Sequence, residues 1–344
     1  MWIIGCDFHS GFQQVAIFDN QTGAIEEKKL LHPAQATEFY RGLQGEVRVG
    51  MESGCGCQWF RRLLQECGHE LWMGDAARIR AAETRQQKTD RRDAELILKL
   101  MLEERFPRIW VPTEAERDVR QLLMDRHHRM RMRTKVKNQL QAMALNQGMQ
   151  KGRRLWTDEG LQQLRQLPLL EHAGRRRDQL LKLLTELNQQ VAALDGLVRA
   201  EAEGREEARR LMTHPGVGPQ TALGMVLTVG DVSRFAGSKQ LASYLGLTPR
   251  EHSSGGKQRL GHISKQGSSF MRFLLVEAGQ TAVRGDDQLR RAYRRLAAKK
   301  SRGVAKVMVA RRLAIRLYWM LRNQWTYAEL ARHAGKPGSS CGEQ

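Results

Sequence analysis

The sequence predicts an α/β plus α chain, a mixed α/β domain followed by helices, and three observations carry that expectation. Short apolar runs alternate with turn residues over the first 105 positions, long apolar seams at helical spacing follow, and glycine-rich turns punctuate shorter helical patterns after Arg205. Residues 2–6, 15–18 and 27–31, with a turn at Asp19 to Gly23, predict three consecutive strands, hence a meander. An amphipathic helix over 36–43 precedes a fourth strand at 47–51, and a helix over 58–67 precedes a fifth at 70–73. Ala94, Ile97, Leu98 and Met101 recur at helical spacing within 90–102, which completes a βββαβαβα order.

Pro107 and Pro112 then interrupt the chain, and helices are predicted over 114–147 and 175–199. In the second, Leu180, Leu184, Leu187, Val191, Leu194 and Val198 step by three or four, the spacing of a coiled-coil seam. The expected organisation is an α/β domain (1–105), a helical coiled-coil arm (106–204), a mostly helical domain (205–334) and a disordered tail (335–344). Helices over 269–283, 287–299 and 304–323 fill the third part.

Charge narrows the function classes. The chain carries 57 Lys plus Arg against 37 Asp plus Glu, a formal +20, with a sequence pI near 10.3, which favours a polyanionic partner. No apolar run approaches the roughly 20 residues of a spanning helix, and the start, Met1-Trp2-Ile3-Ile4-Gly5, lacks a basic region before a long apolar stretch. A cytoplasmic protein with no membrane partner is expected. Five cysteines, odd in number and without paired CxxC or His spacing, argue against a disulfide framework or a zinc site; Cys55-Gly-Cys57 stands alone.

Four acids are the candidate catalytic set. Asp7 ends the first strand, Glu52 ends the fourth, and Asp90 and Asp93 stand at i and i+3 near a helix start, where both can face one point. Taken singly, Asp7 reads as a turn former, Asp90 as an N-cap and Asp93 as a first-turn residue favoured by the helix dipole. Brought together by the fold, the four would be enough to hold Mg²⁺ for phosphoryl transfer, an ion that prefers hard oxygen ligands.

Gly5-Cys6-Asp7, Met51-Glu52-Ser53-Gly54 and Lys88-Thr89-Asp90-Arg91-Arg92-Asp93-Ala94 resemble the Asp-Glu-Asp-Asp signature of Piv-like insertion-sequence transposases, now understood as bridge-RNA-guided recombinases. The resemblance runs over nearly the whole chain in the same order, and the K-T-D-x-x-D-A string is its most specific piece. It implies a RuvC-like (ribonuclease-H-like) fold for the first domain, with Asp7, Glu52, Asp90 and Asp93 binding Mg²⁺.

The segments Gly246-Leu247-Thr248-Pro249-Arg250, Ser253-Ser254-Gly255-Gly256-Lys257 and Gly261-His262-Ile263-Ser264-Lys265-Gln266-Gly267 resemble the transposase domain of the same family, whose serine bonds covalently to DNA. Ser254 occupies that position, and Ser253 is the alternative if the register differs by one. The chemistry is sound, because a phosphoserine ester conserves the phosphodiester bond energy for rejoining, while glycines let backbone approach phosphate. On residues alone, Ser-Ser-Gly-Gly is more often a flexible surface turn. The resemblance further implies an active site composed from two subunits, a guide (bridge) RNA, donor and target double-stranded DNA, and a homo-oligomer, a tetramer built as a dimer of dimers.

Two basic regions are candidate nucleic-acid surfaces. Ten Lys or Arg and one acid, Asp125, lie between Arg120 and Arg154, with Arg129, Arg133 and Lys137 on one helical face. Thirteen basic residues against Asp286 and Asp287 lie between Arg284 and Arg322. Lys257 adds a cation to the serine loop, and Gly216 and Gly218 in Pro215-Gly216-Val217-Gly218-Pro219 look like a helix-hairpin-helix turn whose backbone N–H groups can hold a phosphate, with a plain helix-joining turn the equal alternative. Few aromatics accompany these stretches, which fits recognition of duplexes by shape and backbone.

Overall fold

A computed structural model describes residues 1–54, 56–83, 89–149, 152–251, 253 and 259–333. The chain divides into two compact units, Met1–Val111 and Pro112–Gln344.

The first unit is built on a five-stranded sheet. Strands β1 (Trp2–Phe8), β2 (Phe12–Asp19) and β3 (Ile25–Leu31) form an antiparallel meander. Helix α1 (Ala34–Gly42) leads to β4 (Val47–Glu52), parallel to β1, and α2 (Gln58–Glu66) leads to β5 (Glu70–Gly74), parallel to β4. The strand order is β3-β2-β1-β4-β5. Two helices follow, α3 (Ala76–Ala82) and α4 (Asp90–Leu102).

Strand alternation sorts side chains to two faces. Ile4, Cys6, Val15, Ile17, Val49 and Met51 pack with Tyr40 of α1 and with Phe60 and Leu64 of α2. Ile3 and Ala16 face the other way, against Ala94, Ile97 and Leu98 of α4. The short helix α3 was not expected from periodicity; Asp75 starts it, accepting hydrogen bonds from Ala77 N–H and Arg78 N–H at 2.9 and 3.1 Å.

The second unit contains helix α5 (Glu114–Asn146), opened by a Thr113/Glu116 capping box, and helix α7 (Glu171–Glu203). Between them lie a 3₁₀ turn (Gly152–Trp156) and α6 (Asp158–Arg165). Val136, Leu140 and Ala144 meet Leu181, Leu184 and Leu187, whereas Val119 and Leu123 share a cluster with Val198 and Ala202. The two long helices therefore run antiparallel as a hairpin. Leu181, rather than the expected Leu180, is the buried seam residue, and Leu194 is half-buried.

The lower end of this hairpin belongs to the C-terminal core, with Leu211, Leu223, Leu275, Leu313 and Leu317. The remaining elements are α8 (Glu206–Met212), α9 (Pro219–Val229), α10 (Ser238–Tyr244), the strand pair β6 (Pro249–Glu251) and β7 (Leu260–Ile263), α11 (Ser269–Gly285), α12 (Asp287–Lys299), α13 (Arg302–Arg322) and α14 (Tyr327–His333). No helix among the described residues is long and apolar enough to cross a membrane.

One buried polar network ties the end of this unit together. Asp286 caps α12, accepting from Leu289 N–H at 2.7 Å, from Tyr327 Oη at 2.7 Å and from the Arg316 guanidinium. Burial alone would raise the Asp286 carboxyl; these bonds overcome that and hold it below its ordinary value. His214 meets Tyr327 edge-on at 4.8 Å and donates through Nδ1 to Pro215 O at 2.9 Å. Burial drives its pKa down to about 4, so the ring is neutral.

Candidate active site and nucleic-acid surfaces

The acid site is built from a sheet face and the helix that covers it. On β4, Val49 and Met51 point into the α1–α2 core, so Gly50 and Glu52 point the opposite way, as Gly5 and Asp7 do on β1. Gly5 and Gly50 are register partners on adjacent strands. A Cβ at Gly5 would lie 2.3 Å from Ala94 O and 2.5 Å from Leu98 N, and one at Gly50 would lie 2.2 Å from Met101 Sδ. The glycine pair is thus the seat on which α4 rests, and the residues two positions on, Asp7 and Glu52, stand next along the same face.

Helix α4 begins at this face. Its N-cap is Thr89, whose hydroxyl accepts from Arg92 N–H, and Asp90 is the first helical residue rather than the cap. Arg91 pairs with Glu27 of β3 and, at 3.3 Å, with Glu95, which fixes the rotation of the first turn. On the other side, Phe8 holds the end of β1 in an aromatic cluster, with ring centroids 5.6 Å from Phe60 and 4.8 Å from His32.

The structure brings Asp7 and Asp90 together around His9, a residue that sequence reasoning passed over. His9 Nε2 donates to Asp7 Oδ2 at 3.0 Å and lies 3.5 Å from Asp90 Oδ1. One ligand atom from each of the three lies within 4.8 Å of the others. Burial pushes the Asp7 carboxyl above its ordinary value; His9 opposes that rise, and the charges of Asp93 and Asp90 add to it. These hard oxygen donors on rigid elements, with more negative charge than one imidazole offsets, fit a divalent cation. Glu52 is engaged elsewhere, accepting from Arg80 of α3 at 3.1 Å. The available signal for His9 was its place two residues beyond Asp7, and for Arg80 the Asp75 cap that starts its helix.

In the second unit, β6 and β7 pair Pro249 with Ile263 and Glu251 with Leu260. Ser254 and Lys257 lie outside the described residues, in the stretch joining these strands. Ser253, the alternative nucleophile, donates to Glu251 Oε1 at 2.5 Å and accepts from Arg259 N–H at 3.1 Å. The base of this hairpin is closely built. Gly246 (φ +68°) packs on Gln266 and Gly267 (φ +68°) on Tyr244, each leaving 2.2 Å between an added Cβ and a carbonyl oxygen. The Arg272 guanidinium binds the carbonyls of Leu245, Gln266 and Gly267.

Residues 4–149, which hold all four acids, match a transposase family profile named for a DEDD motif and for IS110. Residues 208–294 match that of the transposase IS116/IS110/IS902 family. The chain belongs to this family of transposases. It is similar to a probable family 20 transposase of Pseudomonas aeruginosa, 28% identical over 82% of this chain and 84% of that protein. The transposase for insertion sequence element IS1111A of Coxiella burnetii is 31% identical over 58% of this chain, and the chain spans little more than half of that relative, 56%. A pilin gene-inverting protein of Moraxella bovis is 29% identical over 49% of this chain and 44% of its own length.

A transposase cuts and rejoins DNA, and its cationic surfaces can be placed against that task. Arg129, Arg133 and Lys137 flank the α5–α7 seam, and their charged ends are occupied: Arg129 by Asp125 at 3.1 Å and Gln190 at 2.8 Å, Arg133 by Asn188 at 3.5 Å, and Lys137 over the Trp156 ring at 4.7 Å. Arg131 and Lys135 are the exposed cations between them. Gly216 (φ +83°) packs on α11, where an added Cβ would lie 2.4 Å from Ala282 N, while Gly218 borders open space at the start of α9.

Proposed function

We propose that this transposase of an insertion sequence joins donor and target double-stranded DNA through a transient bond to Ser254, at sites chosen by a structured bridge RNA. The observation that carries the reading is the layered face of the first unit: Gly5 and Gly50 seat α4, and Asp7, Glu52, Asp90 and Asp93 follow at the ends of the elements so packed. The strand order β3-β2-β1-β4-β5, with an antiparallel meander beside parallel strands, supports a ribonuclease-H-like domain of the RuvC kind. Asp7, Glu52, Asp90 and Asp93 would hold Mg²⁺, which when bound supplies positive charge at the transferring phosphate.

The chain's own residues do the rest. The Ser254 Oγ–P bond forms as one P–O bond to a deoxyribose oxygen breaks, and the serine proton passes to that departing oxygen. A DNA hydroxyl then displaces Oγ and returns the proton, so no external energy source is needed. The name of the Moraxella relative, a gene-inverting protein, accords with such cutting and rejoining. The +20 charge and two basic regions suit binding of DNA and RNA together. Handling two duplexes calls for a homo-oligomer, which we take as a dimer of dimers, working in the cytoplasm.

A suicide duplex carrying the end of its own element, nicked next to the cleavage site, tests this. The wild-type protein with Mg²⁺ and its copurifying RNA should form a covalent DNA adduct that Ser254→Ala abolishes and Ser253→Ala retains. Cleavage that persists in Ser254→Ala without any adduct would instead mark a RuvC-like nuclease with water as nucleophile. Sequencing of copurified RNA that yields no single structured species would remove the guide.

A further inference from the structure

We propose that His9 is a nitrogen ligand of the ion held by the acids, so that the centre is a mixed imidazole and carboxylate site preferring first-row transition ions such as Mn²⁺ over Mg²⁺. The inference rests on the acid-site reading above and deepens it. His9 Nε2 faces carboxylates from two different elements, Asp7 Oδ2 at 3.0 Å on β1 and Asp90 Oδ1 at 3.5 Å on α4. One N–H serves one acceptor, and 3.5 Å lies beyond the usual N–H···O range of about 2.7–3.2 Å. A simple His–Asp pair therefore accounts for only half of the convergence.

A coordination shell accounts for both distances. Ligands bonded at about 2.1 Å stand about 3.0 Å apart at right angles and about 3.4 Å apart in a tetrahedron, close to the observed separations of 3.0 and 3.5 Å. The ring is placed for this role by the turn that follows β1. His9 N–H donates to Phe12 O at 2.9 Å, and the imidazole stacks on the Phe12 ring with centroids 4.6 Å apart. Nitrogen donors matter for selectivity, because Mg²⁺ keeps to oxygen and water, whereas transition ions gain from imidazole.

Mn²⁺ binding to the full-length chain, followed by electron spin-echo envelope modulation, tests the assignment. The wild type should show ¹⁴N modulation from one directly bound imidazole, lost in His9→Ala and His9→Gln. Mn²⁺ affinity in these variants should fall about tenfold or more, while Mg²⁺ affinity falls much less. Mn²⁺ bound without that modulation, or bound as tightly by His9→Ala, overturns the role of His9 and leaves the acids in place. Mn²⁺ bound by Asp7→Asn as tightly as by the wild type overturns the acid site itself, and the inference with it.

Discussion

Asp7 and Asp286 are both carboxylates at the borders of regular elements, and their surroundings drive them in opposite directions. Asp286 is 3% exposed, yet its carboxyl is held below the ordinary value. The Asp7 side chain keeps 18% exposure, yet its carboxyl is raised. Burial raises both carboxyls, so the partners decide the direction. Asp286 has a backbone N–H, a tyrosine hydroxyl and a guanidinium aimed at it; Asp7 has one imidazole and two further acids. The first arrangement completes a fold, and the second leaves negative charge for something that the fold does not supply.

The largest effect that sharpens this contrast is on the side of Asp286. Asp286→Ala leaves Arg316 deeply placed without its carboxylate, and a loss of about 3–5 kcal/mol is expected from urea unfolding. The pH dependence has a definite sign. A carboxyl with a lowered folded pKa contributes stability above its unfolded pKa and loses it as pH falls through the folded value. His214, lowered to about 4, adds to this: its contribution is complete above about pH 6.5 and drains away as pH falls towards 4, where the unfolded chain binds the proton that the buried ring refuses. The second unit should therefore lose stability steadily below neutrality, and His214→Phe should flatten the part of that slope above pH 4. A wild-type stability that stays level from pH 7 to pH 4 would contradict the placement of His214, and one that stays level as the pH falls further would contradict that of Asp286.

How far the sequence exposed these two regions differs for physical reasons. Strand alternation and the K-T-D-x-x-D-A string made β1, β4 and α4 legible, because a half-buried strand and an amphipathic helix write their faces into local spacing. His9 was missed because a lone histidine beside Ser10 and Gly11 has no periodic signature. Arg80 sits on a seven-residue helix too short to show one. The Asp286 network joins residues 28 to 41 positions apart, among them Arg316 and Tyr327, and no local pattern marks such a meeting. The stripe of Arg129, Arg133 and Lys137 shows the converse: spacing identified one helical face, but not that Gln190, Asn188 and Trp156 would stand against it.

A middle-sized effect probes what holds the acids together. Gly5→Ala places a methyl group 2.3 Å from Ala94 O, a backbone atom that cannot rotate away, so α4 must move outward. A cost of about 1–3 kcal/mol is expected, together with weaker divalent-ion binding, since Asp90 and Asp93 move with the helix. Gly50→Ala meets the thioether of Met101 instead, which can turn aside, and should cost less than about 1.5 kcal/mol while sparing ion binding. Equal effects at the two glycines, measured by thermal unfolding and by Mn²⁺ titration, would mean that α4 is not seated on Gly5.

The smallest effect has the opposite sign to the first. Removing the charge at Asp7 takes away a carboxylate that Asp90 and Asp93 repel, while Asn can still accept a hydrogen bond from His9. In chelator, Asp7→Asn should therefore melt no lower than the wild type and gain about 0.5–1 kcal/mol, the usual trade between a prepared site and a restful one. With a divalent ion present the order should reverse, because only the wild type gains binding free energy in the folded state. The crossing of the two melting temperatures on adding the ion is the decisive reading. If Asp7→Asn were destabilised in chelator as Asp286→Ala is, Asp7 would be a structural carboxylate like Asp286, and the contrast between the two regions would be lost.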